Sequence, residues 1–240
     1  MSKAYNAQPS GLNFYVPPTL ESDFDNFLNN DIPNQVGNFT VYHDWYEQFE
    51  AGYEPYVVRA ELYPDTTKSR YENTDNNMNI RFSKSSDTYK GNIVEDENGV
   101  TYILDWEIPP EHNNRASRAL RCNINLTVYR HMPETVDEMG YLIEPEHDED
   151  IFTELPSNAY RYDGRPEYSA IAGFPGVIGS ALTIMTVQYN DKTKNIKQDD
   201  HFVWGDQDYT IIDVNWVGVN YRTNTGTLKV QAKKTAGGIV

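Results

Sequence analysis

Apolar and polar residues alternate along short runs through most of this chain, and each run ends in a cluster of turn residues. That pattern restricts the chain to strands, because a period of two sends successive side chains to opposite faces of a sheet. Met78-Asn79-Ile80-Arg81-Phe82 and Asn123-Ile124-Asn125-Leu126-Thr127-Val128-Tyr129 are clear cases. Residues 56–63 form a third run, stopped by Pro64-Asp65. Asn98-Gly99 tolerates positive φ at both positions and so marks a hairpin between residues 92–95 and 100–106. Further strands are expected over residues 182–189, 201–204, 209–214 and 227–232. Composition agrees: 18 Tyr, 9 Phe and 4 Trp supply side chains that suit a half-buried pleated surface.

The expectation is an all-β protein of two small barrel-like or sandwich-like modules behind an extended N-terminal arm. Residues 1–40 form the arm. Val16-Pro17-Pro18 disfavours helix there, but Thr19 can cap a short one. Leu20, Phe24, Phe27 and Leu28 would share one face of that helix and dock on the body or on a neighbouring subunit. Residues 41–130 form the first module and 169–240 the second. Between them, residues 131–168 show little regular pattern and carry an acidic run, 144–150, which reads as a linker or long excursion. The uncharged stretch 168–190 holds Gly173, Phe174, Pro175, Gly176 and Gly179, which suits a loop leading into a buried strand, not a membrane helix. Phe174 would sit on an apolar loop able to dock on a partner.

The two halves share an order of signals. The first runs Asn92-Ile93, Glu95-Asp96, Gly99, Tyr102, then Ile103-Leu104-Asp105-Trp106. The second runs Asn195-Ile196, Asp199-Asp200, Gly205, Tyr209, then Ile211-Ile212-Asp213 and Trp216. Each then reaches a final strand, residues 124–128 in one half and 226–230 in the other. A shared order of turn, Tyr, aliphatic pair, Asp and Trp points to an internal duplication.

The stretch from Lys194 to Lys233 resembles the small β-barrel of tailed-phage head-closure (head-to-tail connector) proteins. The residues that carry the likeness are Ile196-Lys197-Gln198-Asp199-Asp200, then Gly205-Asp206-Gln207-Asp208-Tyr209-Thr210-Ile211-Ile212-Asp213-Val214, and the strand over 227–232. Family members are shorter and carry one barrel. The resemblance implies a structural virion protein, assembled in the host cytoplasm, that forms a ring beneath the portal. It implies identical subunits as partners, about twelve copies or about six of a duplicated chain, together with portal and tail proteins and the DNA passing through. Pairing of exposed strand edges and exchange of arms would join the copies. The alternative is a carbohydrate- or protein-binding β module of a phage tail, since Tyr and Trp beside Asp and Asn also suit sugars.

Charge and motifs bound the chemistry. Lys and Arg number 20 against 36 Asp and Glu, a net charge of −16. A chain this acidic is a poor duplex binder and would suit a channel wall that does not grip DNA. The same charge would also simply keep the chain soluble. Cys122 is the one cysteine, so neither an internal disulfide nor a site of several thiolates can form. No two histidines stand at helical spacing, and no phosphate loop or nucleophile elbow is present. The expectation is therefore no enzyme, no catalytic residue, no cofactor and no metal. Glu146-His147-Asp148 could present metal ligands, but an acidic run is usually a solvated face. Arg115, Arg118 and Arg121 form a small basic patch, able to contact an acidic neighbour or passing DNA, or to pair with nearby acids such as Glu107 and Glu111.

Overall fold

A computed structural model describes residues 36–64, 77–83, 85–107, 114–161 and 183–235. The expected arm helix with Leu20, Phe24, Phe27 and Leu28, and the loop with Phe174, lie outside these residues. The chain is mainly β, and the described residues include two short 3-10 turns, at Trp45–Phe49 and Thr193–Asn195.

Six strands build the first barrel: β1 (Val36–Tyr42), β2 (Tyr56–Pro64), β3 (Asn77–Ser83), β4 (Ile93–Asp96), β5 (Thr101–Glu107) and β6 (Asn114–Arg121). They run in the order β1-β2-β3-β6-β5-β4, and β4 pairs back onto β1. The chain continues through β7 (Ile124–Met132), the small hairpin β8 (Thr135–Val136) and β9 (Leu142–Glu144), then β10 (His147–Arg161), β11 (Thr183–Gln188), β12 (His201–Val203), β13 (Asp208–Asn215), β14 (Val219–Asn220) and β15 (Thr225–Lys234). Here the order is β11-β10-β7-β12-β13-β15, closed by β15 against β11, with β14 added at β15. All pairings in both barrels are antiparallel.

The two barrels have one topology. Counting each barrel's six strands in order of appearance, both read first, second, third, sixth, fifth, fourth. The registers match as well. Val94 faces Tyr102 as Phe202 faces Tyr209, and Leu104 faces Ala119 as Ile211 faces Ala232. All eight of these side chains are buried. Both fifth strands carry a one-residue bulge just beyond the aliphatic residue, at Asp105 in β5 and at Ile212 in β13. Bulges bend a strand and sharpen its twist, which a small closed barrel needs at its corners.

The turn entering each fourth strand repeats too. Gly91 (φ 93°) and Asp199 (φ 71°) both adopt the left-handed region. Their N–H groups donate to the carbonyls of Leu104 and Ile211, at 2.7 and 2.9 Å. The next side chain then reaches three residues back: Asn92 accepts from the Tyr89 N–H and Asp200 from the Lys197 N–H, both at 2.7 Å.

These registers correct the alignment read from sequence. Asn92 corresponds to Asp200, not Asn195, because the loops before the two fourth strands differ in length. Asp105 corresponds to Ile212, not Asp213. The counterpart of β15 is β6, and residues 124–128 lie in β7, which opens the second barrel. The expected arm ends earlier than residue 40, since β1 begins at Val36. The expected excursion over 131–168 contains β10, fifteen residues long. Its pattern hides because β10 pairs with β7 through two register shifts, after Asp150 and after Phe152, which break the alternation.

Each barrel has its own core. Phe39, Ile80, Phe82, Val94 and Leu104 fill the first. Leu126, Leu155, Met185, Phe202 and Ile211 fill the second, and Tyr42 and Ile93 of the first barrel join them. Closure removes the long free edges on which strand pairing between copies would depend. Among the described residues, short edges remain at β14 and at the β8–β9 hairpin.

Candidate functional site

Two features stand out: a junction that locks the barrels together and a hairpin that projects from them.

The junction centres on Asp105, at the β5 bulge. It is 5% exposed, and its carboxylate accepts from Arg118 of β6 at 2.6 Å. From the second barrel it accepts from Lys229 at 3.1 Å and from the Thr227 hydroxyl at 3.1 Å. Lys229 also donates to Thr186 at 2.8 Å. Burial alone would raise the Asp105 pKa, but the charges of Lys229 and Arg118 outweigh it and hold the carboxyl well below the usual range. Burial lowers the Lys229 pKa, and Asp105 partly restores it.

Gln188, at the end of β11, adds a polar tie. Its amide nitrogen donates to the carbonyls of Gly91, His43 and Tyr42, at 2.9, 3.1 and 3.3 Å, and its oxygen accepts the Trp45 N–H at 2.9 Å. Nearby the two backbones touch: a Cβ on Gly91 would overlap the Gly226 carbonyl. Gly91 is therefore glycine for two reasons, its positive φ and this approach. At the far side Asn158 of β10 donates to the Arg121 carbonyl at 2.8 Å. Asn123, between β6 and β7, bonds Ala159 in both directions, at 2.7 and 2.8 Å.

The hairpin rises where β7 and β10 leave the second barrel. Their pairing continues to Met132 and His147, and β8 and β9 carry the ribbon on. Its turn is fixed by one side chain. Asp137 accepts the N–H groups of Met139 and Tyr141 at 2.8 Å each, and Gly140 turns at φ 83°. One imidazole ties the base: the ring nitrogens of His131 lie 3.3 Å from Glu146 and 3.2 Å from Asp148. The tip is apolar and in solvent. Val136, Met139, Tyr141, Leu142 and Ile143 are 54, 83, 69, 58 and 67% exposed. No Lys or Arg occurs between Arg130 and Arg161, and Glu134, Glu138, Glu144, Glu149 and Asp150 flank the tip in sequence.

Of the basic patch expected from sequence, the side chains of Arg118 and Arg121 are described. Arg118 turns into the junction and pairs with Asp105, a buried acid, while Glu111 and the side chain of Glu107 lie outside the described residues. Arg121 ends β6 and is exposed, and Arg115 lies in β6 beside Phe82 of β3. Glu146 and Asp148 flank His131, whereas His147 points to Glu144 at 3.7 Å. Among the described residues no group of three His, Cys, Asp or Glu is placed to hold a metal ion. The hairpin tip was not singled out by the sequence reading. Its signal was present as five large apolar residues within an acidic stretch, around the Asp137 and Gly140 turn residues.

Comparison with protein-family models, with curated proteins and with solved structures gives no match.

Proposed function

We propose that this chain acts by assembly rather than by catalysis, as a ring-forming head-to-tail connector in the virion of a tailed phage. The observation that carries the reading is the projecting hairpin: a rigid two-barrel body raises a shaped apolar tip into solvent, as a joint must to hold a neighbour. Contiguous exposed apolar surface of this kind marks interaction sites. Two further points support it. The stretch that resembles head-closure proteins, 194–233, supplies β12, β13 and β15 of a closed six-stranded barrel. The net charge of −16 suits a wall along which DNA slides without being gripped. Portal and tail proteins are the neighbours this reading requires.

Native mass measurement and negative-stain images of the purified full chain test it. Rings of about six or about twelve copies are expected. A monomer that stays single at high concentration overturns the ring.

A further inference from the structure

We infer that the tip of the β8–β9 hairpin is a plug for a cleft on a different protein, one whose apolar walls are rimmed by lysine and arginine.

The first ground is exposure all around the tip. Val136, Met139, Tyr141, Leu142 and Ile143 are each more than half exposed about one turn, and a one-residue register shift at Ile143 takes β9 off strict alternation. A flat surface laid against such a tip leaves part of these side chains in water. A cleft can enclose them.

The second ground is preorganisation. Asp137 fixes the turn with two side-chain hydrogen bonds, and the Asp137 N–H donates to the Tyr141 carbonyl at 2.8 Å. Little ordering remains to oppose docking, so the apolar contact is realised as affinity.

The third ground is charge, and it selects the occupant. The whole segment from 131 to 160 carries acidic side chains and no Lys or Arg. A second copy of this chain would bring a body of net charge −16 against it. Like charges at an interface suppress association, and a basic rim favours and steers it. A different, basic partner is therefore favoured over self-docking. A lipid surface is disfavoured by the same acids, because membrane surfaces are commonly anionic.

This rests on the hairpin as an assembly element but not on the ring or on the phage. The test uses the full chain and, as probe, an amphipathic helical peptide with a leucine face bordered by lysines. A Leu/Glu peptide of the same pattern is the control. The variant Met139→Ser, Leu142→Ser, Ile143→Ser removes apolar groups without changing charge and touches no buried residue. Unmodified protein should bind the Leu/Lys peptide, weaken as salt rises, and lose about tenfold or more in affinity in the triple variant. It should ignore the Leu/Glu peptide. Equal binding by the variant, or equal binding of both peptides, overturns the inference. So does tip-dependent self-association, which would make a second copy the occupant, or tip-dependent flotation with neutral phosphatidylcholine vesicles. A monomer with tip-dependent peptide binding removes the ring alone. Rings without it remove the plug alone.

Discussion

Asp105 stands at a bulge, where it has no strand partner of its own, and the fold gives it three donors instead: Arg118 from its own barrel, Lys229 and Thr227 from the other. Removing one member of such a buried group leaves the others desolvated and unmatched, which destabilises by about 3–5 kcal/mol. Asp105→Ala should lower the unfolding free energy, measured by denaturant titration, by that amount, and replacing Asp105, Arg118 and Lys229 together by apolar residues should lower it far less. The pH dependence has a definite sign. The folded carboxyl titrates below its ordinary 3.8, so its stabilisation is complete above that value and falls away as pH drops below it. An acid titration of unfolding free energy checks this, with a shallower fall below about pH 4 expected for Asp105→Asn. Sequence marked Asp105 only as part of a repeat and Arg118 only as part of a patch. Their meeting depends on a bulge and on a second barrel, neither of which leaves a local signal.

At the scale of the element, the hairpin and the barrels obey different rules. A barrel strand is held by two neighbours and a core, whereas β8 and β9 have only each other and a fixed turn. Replacing residues 135–144 by a short Asn-Gly turn should therefore leave the melting temperature within about 2 °C of the parent, measured by circular dichroism. Loss of folding on that change would mean the ribbon supports the barrel. Strands were the most legible elements. The alternating runs at 78–82, 209–214 and 227–232 all lie in strands, because barrel walls bury one face and expose the other. β10 was not legible, since its register shifts move apolar side chains off the period of two. The paired turns at Gly91 and Asp199 were half legible. Their shared left-handed conformation uses a glycine in one copy and an aspartate in the other, and identity of shape there does not require identity of residue.

The whole molecule is a repeat whose copies are fused along one face. Tyr42 and Ile93 of the first barrel belong to the second barrel's core, and Gln188 and the Gly91–Gly226 contact tie the backbones. A junction of this kind makes the two barrels one cooperative unit. Tryptophan fluorescence and far-ultraviolet circular dichroism should give coincident unfolding curves, and Gly226→Val should lower the common midpoint or split it in two. Resolved transitions in the parent would show that the barrels open separately. The duplication was visible in the sequence as an order of signals, but the closing strand was assigned to the wrong barrel, since a run of alternating residues does not say which neighbour it pairs with. Only two residues, Cys122 and Asn123, separate β6 from β7, and β10 bonds back to both Arg121 and Asn123. β10 also runs the other way, out to the base of the projecting ribbon, at about 3.3 Å per residue. A pull or push applied to the apolar tip has one continuous strand along which to travel, bent at its two register shifts, and it arrives at the seam where the first barrel begins.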